Sequence, residues 1–422
     1  MGILSSPKNQ ALAARSLSHS NVGLHPLRRY SFKVIRIFDT SASMVVPFEP
    51  GPVVRVYVCG ITPYDSTHLG HANTYLTYDL LIRRLEDLGH EVQMVRNVTD
   101  VDDSILPKAR ELGIDFLELA ATEMARFHGD MEALRVRPPI AEPRATESIE
   151  EMVELISLLQ SKGHTYEVDG ITYFDVSTAP EFGRLSGYAE DTMLAFAAER
   201  GGTPTDLRQR NPLDFILWQP SAEDEPSWDT PFGPGRPGWH IECSAMSWAQ
   251  FGQTIDLHGG GSDLIFPHHE CERVQSELGY GKTFADHWMH TGMVAYQGTK
   301  MSKSLGNLVF VSDLVKSHSP QAVRLALMGH HYRDDWEWFD GDIDDGQDRF
   351  ERIVAAVEKG TGPDPASTLS DVRAALDNDL DAPTARDRID RLARAILEGN
   401  GDDPNAGAGL AEAAQLVGIH IT

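Results

Sequence analysis

Val53-Val54-Arg55-Val56-Tyr57-Val58, followed by Cys59-Gly60-Ile61-Thr62-Pro63, is the stretch on which the fold turns. Its first six residues form a β-branched run that reads as a buried strand, and the next five break it. From about His68 the apolar residues fall at helical spacing, with Ala72, Tyr75, Leu76, Leu80 and Ile82 set among polar neighbours. Gly89 stands where a glycine often closes a helix. Glu91 to Val98 (EVQMVRNV) then reads as a second strand. Strand, helix, strand is the first crossover of a parallel α/β sheet. Ligands of such sheets bind outside the carboxyl ends of the strands. Cys59 and Asn97-Val98-Thr99-Asp100 are expected there.

Working outward, residues 36–125 form the first half of the sheet domain. Residues 126–229 read as an insertion, with a helical stretch from Ala145 to Leu159, a strand signal at Ile171 to Val176, and loops rich in Gly, Pro and charge. The sheet resumes over residues 230–297, near Trp239 and Ile255 to Leu257. Residues 298–340 form a stem, and 341–422 a helical, acidic C-terminal domain, with Gly360 to Pro365 as a linker. Residues 1–35 differ from the rest. Residues 1–36 hold Lys8, Arg15, Arg28, Arg29, Lys33 and Arg36 without an acidic residue, and are Ser-rich. They lack a long apolar core or clear cleavage site, so a disordered leader or an early start is expected rather than an export signal. The chain shows no internal repeat.

Composition narrows the function classes. Hydrophobic residues make up 41% and charged residues 24%, as in ordinary globular proteins. No apolar run reaches the length of a bilayer span. The net charge of −26 argues against broad nucleic-acid binding, because a phosphate backbone prefers a basic surface. Three cysteines make no disulfide framework. They fit a reducing cytoplasm, as metal ligands or core residues.

Three constellations carry chemistry. His68-Leu69-Gly70-His71 opens the first helix, where free N–H groups and the positive dipole end suit a phosphate. Capping histidines alone would give the same pattern. Lys300-Met301-Ser302-Lys303-Ser304 sets two lysines three apart in a flexible loop. Such a loop can close on a triphosphate and stabilise charge on the transferring phosphate, although a solvated basic turn looks alike. Cys59, Cys243 and His268 each follow a strand-like run, and thiolate with imidazole is a zinc donor set. His268, Cys271 and Glu272 share i, i+3 and i+4 spacing, so either Cys271 or Glu272 could supply a fourth ligand. Gly233-Pro234-Gly235-Arg236-Pro237-Gly238 matches a dinucleotide fingerprint, but its prolines lack N–H donors and no clear strand precedes it.

H-x-G-H followed by KMSKS resembles the signature pair of class I aminoacyl-tRNA synthetases. Tyr57 to His71, Gly238-Trp239-His240-Ile241-Glu242-Cys243-Ser244-Ala245 and Leu257 to Glu270 look like a cysteinyl-tRNA synthetase-type catalytic domain. The resemblance covers roughly residues 35 to 340. It implies an α/β fold with a Rossmann-like parallel sheet, an inserted connective domain and a C-terminal helical domain. It also implies activation of L-cysteine as an adenylate, with one zinc per chain and ATP with magnesium as co-substrate. Cys59, Cys243 and His268, with Glu272 as the candidate fourth, would hold zinc. Gly60, Ile61, Thr62, Thr74, Asn97, Val98, Thr99, Trp239, Gly261, Ser262, Asp263 and Val294 would surround the cysteinyl-adenylate. His68 and His71 would contact the phosphates, with Lys300 and Lys303 closing over them.

Two branches of that superfamily are open. The Gly60 to His71 block followed by Thr74 to Thr77, Asp191-Thr192-Met193-Leu194 with Glu199-Arg200-Gly201-Gly202, and the short tail after Ser304 look like the mycothiol-pathway cysteine ligases. Those couple cysteine to the amine of glucosaminyl-inositol. Glu272, Asn211 to Phe215 and Tyr173 to Val176 look like the tRNA-charging branch. The ligase reading leads, with a shortened cysteinyl-tRNA synthetase and an inactive zinc- and adenylate-binding paralogue as alternatives. It implies small-molecule partners, neither membrane nor tRNA, and a cytoplasmic monomer. Its amide step wants a general base, for which His71, Asp263 and the AMP phosphate are candidates.

Overall fold

The computed structural model describes residues 34–64, 67–301 and 306–421. The expected leader therefore lies outside the described residues except for Val34 and Ile35, and Ile35 already opens a strand, Ile35–Asp39, paired antiparallel with Met44–Phe48.

Four parallel strands form the central sheet. They are β1 (Val53–Ile61), β2 (Glu91–Val98), β3 (Leu257–Gly261) and β4 (Trp288–Thr291), in the order β4-β3-β1-β2. β1 and β2 run in register from Val53 opposite Glu91 to Val58 opposite Arg96, then shift before Ile61 meets Val98. β1 thus continues through Cys59 and Gly60, where the sequence had suggested a break. Gly60 makes this possible, because a Cβ there would lie 1.6 Å from the Asn97 carbonyl oxygen. The Asn97 side chain seals the join by accepting a hydrogen bond from the Gly60 N–H at 2.7 Å.

α1 (Leu69–Asp87) connects β1 to β2 and is buried along nearly its whole length, from Leu69 to Leu85. A helix buried on several faces belongs to the centre of a domain. Gly89 follows it with φ +95°, the left-handed conformation that favours glycine. Between β2 and β3 the chain builds a separate antiparallel sheet from Thr165–Val168, Ile171–Phe174, Phe215–Gln219 and Arg236–Pro237. Trp239, expected near a strand, instead opens α2 (Trp239–Phe251). α3 (Glu270–Tyr280) lies between β3 and β4.

Beyond β4, a small sheet joins Val294–Tyr296 to Thr299–Lys300 and Trp336–Glu337. Four helices follow, Gly341–Lys359, Ala366–Asp377, Ala382–Glu398 and Ala406–Leu416. Their buried faces, including Ile353, Leu376, Ile389, Ile396 and Leu410, belong to the same apolar core as β1 and α1. The stretch from Gly360 to Pro365 is therefore no free linker. Gly362 exchanges backbone hydrogen bonds with Asp403 at 3.1 and 2.8 Å.

A buried ion network ties these parts together. Asp79 of α1 pairs with Arg83 at 2.7 Å and with fully buried Arg324. Arg324 also donates to the carbonyls of Val417 (2.7 Å) and Leu134 (3.1 Å). Burial would raise the Asp79 carboxyl, but Arg324 and Arg83 outweigh it and hold it below the ordinary carboxylate value. Arg324→Met is expected to cost about 3–5 kcal/mol, because removing one partner leaves the other charge buried. A urea titration of the variant should show a lowered midpoint, and an unchanged midpoint would mean that the network does not stabilise the fold.

Candidate active site

The site lies at the carboxyl ends of β1 and β3, as parallel α/β sheets dictate. A cavity of about 840 Å³ opens there. Cys59, Gly60, Ile61 and Thr62 line it from β1 and the following turn, His68, His71 and Thr74 from α1, and Trp239 from α2. Gly261, Asp263, Val294 and Lys300 complete the side formed by β3 and the stem.

His68 is the N-cap of α1, and its Nδ1 accepts from the Gly70 N–H at 3.1 Å. That bond places the ring proton on Nε2. Gly70 is needed for this seat, since a Cβ would come within 2.9 Å of the His68 ring. The His68 and His71 rings lie 4.0 Å apart between centroids. Thr74 Oγ1 lies 2.9 Å from Thr291 Oγ1, which joins α1 to the end of β4. On the opposite side the Lys300 ammonium sits 3.1 Å from Asp263 Oδ2. Lys303 falls outside the described residues.

Below the cavity, four ligand-type atoms converge. The Cys59 and Cys243 sulfurs are 3.7 Å apart, Cys59 Sγ is 3.5 Å from Glu272 Oε1, and His268 Nε2 is 3.0 Å from that same oxygen. All four atoms lie within 4.8 Å of one another, and all four residues are buried. Burial pushes the Cys59 thiol well up and the Cys243 thiol to about 11, and it pushes His268 well down. Two thiols and a carboxyl crowded beside a neutral imidazole form a donor set that a soft cation would relieve. Glu272 Oε2 is buried without a well-formed hydrogen bond, its nearest polar neighbour being His258 Nε2 at 3.3 Å. The residues present therefore fit a metal ion.

Cys243 reaches this cluster from α2 rather than from the end of a strand. Cys271 does not reach it. Its side chain belongs to the apolar cluster that contains Ile105, Leu155 and Ile241. The Trp239 indole stacks on the His268 ring at 4.2 Å and 12°. The wall is thus apolar where it meets the cluster.

Asn97, Val98 and Thr99 are buried and do not line the cavity among the described residues, nor does Ser262. Asn97 spends its side chain on Gly60 and on Thr99 Oγ1, the latter at 3.1 Å. Thr62 donates to Asp102 Oδ2 at 3.1 Å, and burial raises that carboxyl.

Sequence reading missed a chain of imidazoles. His258 Nδ1 faces the Tyr57 carbonyl at 3.1 Å, and its Nε2 lies 3.3 Å from Glu272 Oε2. His269 Nδ1 meets His290 Nε2 at 2.7 Å, and His290 Nδ1 meets Thr40 Oγ1 at 2.7 Å. The signal was present in Leu257-His258-Gly259 and Trp288-Met289-His290 of two strands and in Pro267-His268-His269 of the turn before α3. Glu242 was also passed over. Its carboxyl is fully buried, and burial, with Asp102 and Asp100 nearby, pushes it well above the ordinary range.

A parallel sheet with a phosphate-suited helix N-terminus, a cationic strand opposite and a thiol-rich cluster below defines a nucleotide-dependent activating enzyme. Residues 45–348 match the tRNA synthetases class I (C) catalytic domain, and this chain belongs to that family. Within it, the chain is 52% identical to the L-cysteine:1D-myo-inositol 2-amino-2-deoxy-alpha-D-glucopyranoside ligase of Streptosporangium roseum, over 83% of this chain and 86% of that protein. It is 50% identical to the enzyme of the same name from Thermobispora bispora, over 83% and 87%. In fold it is similar to Mycobacterium tuberculosis methionyl-tRNA synthetase in complex with methionyl-adenylate, with a TM-score of 0.60 at 16% identity over 86% and 89% of the two chains. No helix among the described residues is long and apolar enough to cross a membrane.

Proposed function

We propose that this chain joins the carboxyl group of L-cysteine to the amine of glucosaminyl-inositol by way of a cysteinyl-adenylate, releasing AMP and pyrophosphate. The observation that carries this reading is the buried Cys59, Cys243, His268 and Glu272 cluster beneath the cavity that His68, His71 and Lys300 line. The relatives named above act on these same two substrates according to their names.

Each residue then has a task. The α1 N-terminus with His68 and His71 holds the ATP phosphates, which bring magnesium with them. Thr62 and Trp239 border the amino-acid pocket, and Gly261, Asp263 and Val294 border the nucleotide. A zinc ion held by Cys59, Cys243, His268 and Glu272 would supply a soft partner for the substrate thiolate, a basis for rejecting serine that an apolar pocket lacks. The cysteine carboxylate attacks the α-phosphorus, and pyrophosphate leaves. Lys300 and Lys303 stabilise the charge that builds on the phosphates. The neutral sugar amine then attacks the anhydride carbonyl, AMP leaves, and the nitrogen loses a proton. His71 and Asp263, which line the cavity, and the AMP phosphate are the candidates to take that proton. The enzyme works as a monomer in the cytoplasm, where its three thiols stay reduced.

Glu272 favours a second reading, because the tRNA-charging branch is the one expected to use this carboxylate as a ligand. An acceptor competition separates the two. The protein would receive ATP, magnesium, cysteine and either glucosaminyl-inositol or cysteine-specific tRNA, with products identified by mass spectrometry. A cysteinyl amide of the amino sugar without charged tRNA is the expected result. Charged tRNA without amide would overturn the acceptor assignment.

A further inference from the structure

Glu199-Arg200-Gly201-Gly202 lines the cavity, yet the mechanism above gives it no task. It closes the helix Glu190–Glu199 of the inserted segment, with Arg200 just past its last residue. Arg200 does not stop at the cavity wall. Its Nη1 donates to the carbonyl of Asp263 at 2.7 Å and to that of Phe266 at 2.6 Å. Its guanidinium lies 4.1 Å from the centroid of the Phe196 ring. Phe266 is fully buried and meets Phe182 and Tyr188 edge-on at 6.0 and 6.4 Å. The contact is therefore a built one, a planar cation packed on one aromatic ring and bonded to both ends of a short turn.

That turn is a branch point of the site. At its start, the Asp263 carboxylate holds the Lys300 ammonium at 3.1 Å. Two residues past its end stands His268 of the thiol cluster. The backbone at Phe266 is extended (φ −143°, ψ 134°) inside an otherwise helical run. Helical hydrogen bonding alone does not set the course of such a segment, so an outside donor has leverage over it. The Asp263–Lys300 pair is half-exposed and weak by itself, and its geometry depends on the backbone beneath Asp263.

We propose that Arg200 is a positioning residue for adenylation. It fixes the Asp263–Phe266 turn, Asp263 fixes Lys300, and Lys300 meets the phosphates. Arg200 acts through Asp263 and not on the reacting atoms. The inserted segment is thereby mechanically linked to the activation half-reaction. The inference rests on the adenylation reading given above.

The test is cysteine-dependent ATP–pyrophosphate exchange with Arg200→Met, Arg200→Lys, Lys300→Ala and the Arg200→Met/Lys300→Ala double variant. Arg200→Met should lower kcat about 10- to 100-fold, the scale of a misplaced reacting group. KM for ATP and cysteine, zinc content and urea midpoint should stay within about twofold of the unmodified protein. Arg200→Lys keeps the charge but not the planar fork, and should recover part of the loss. In the Lys300→Ala background the Arg200→Met loss should shrink to about twofold or less, because residues acting in series are not additive.

A raised KM for ATP at unchanged kcat would make Arg200 a direct phosphate contact and overturn the proposal. Fully additive losses, or a loss matched by zinc release and a fallen urea midpoint in both Arg200 variants, would also overturn it. Exchange that Arg200→Met leaves intact would defeat this inference alone. No exchange in the unmodified protein would defeat the adenylation reading and this inference with it.

Discussion

Cys243→Ala is expected to release zinc and to abolish cysteine-dependent ATP–pyrophosphate exchange. Loss of an outer partner of a metal ligand costs roughly 10–100-fold, and loss of a ligand should cost more. The Cys243 sulfur lies 3.7 Å from that of Cys59, and the cluster offers four donors within 4.8 Å. Removing one thiolate leaves Cys59, His268 and Glu272 and takes away half of the soft donor character that favours zinc over harder cations. Cys271→Ala is the matched control. That thiol packs among apolar side chains away from the cluster, so its loss should leave zinc and exchange intact and lower stability modestly. Metal analysis by mass spectrometry beside the exchange assay checks both. If the Cys243 variant kept its zinc and its exchange, the cluster would not be the cysteine-recognition site.

The contrast between Cys271 and Glu272 shows what sequence spacing can and cannot decide. Both stand within one turn of His268, so periodicity alone left them equal. Successive helical residues point about 100° apart, and only Glu272 turns toward the cluster, while Cys271 turns to the core. Which of two neighbours faces inward depends on where the helix begins. That start is blurred by the irregular turn over residues 265 to 269. Cys243 posed the same problem. It was expected to follow a strand-like run, and the thiol arrives instead from a helix.

The β1-α1-β2 unit was legible because its signals are local. A β-branched run, an amphipathic stretch and a closing glycine suffice, and all three stand where they were read, save that the strand runs on to Ile61. Arg200 was visible only as part of a motif, because its partners are main-chain carbonyls, which carry no sequence signature. The imidazoles of His258, His269 and His290 were hidden for a related reason. His258 and His290 stand on β3 and β4 and His269 on the turn before α3, so they meet across segments whose spatial order is not the order of the chain.

Lys300→Ala is expected to reduce kcat for exchange on the order of 10²- to 10³-fold, with little change in KM for cysteine. This is the scale of removing one preorganised group that stabilises transition-state charge. The cation stands at the cavity edge, about half-exposed, on the short strand Thr299–Lys300 and held by Asp263 at 3.1 Å. An exposed ion pair of this kind adds little to stability, so the urea midpoint should not move. The effect should appear in the rate alone, because the lysine is asked to act as charge builds on the phosphates and not to bind cysteine. Asp263→Asn offers the reciprocal view. It leaves the ammonium in place but frees it from its carboxylate, so it should lower kcat less than Lys300→Ala while also leaving KM for cysteine unchanged. A larger loss than in Lys300→Ala would mean that Asp263 does more in adenylation than hold the lysine. An unchanged kcat in Lys300→Ala would remove this lysine from the chemistry and leave the second lysine of the motif, Lys303, as the cation that closes over the phosphates.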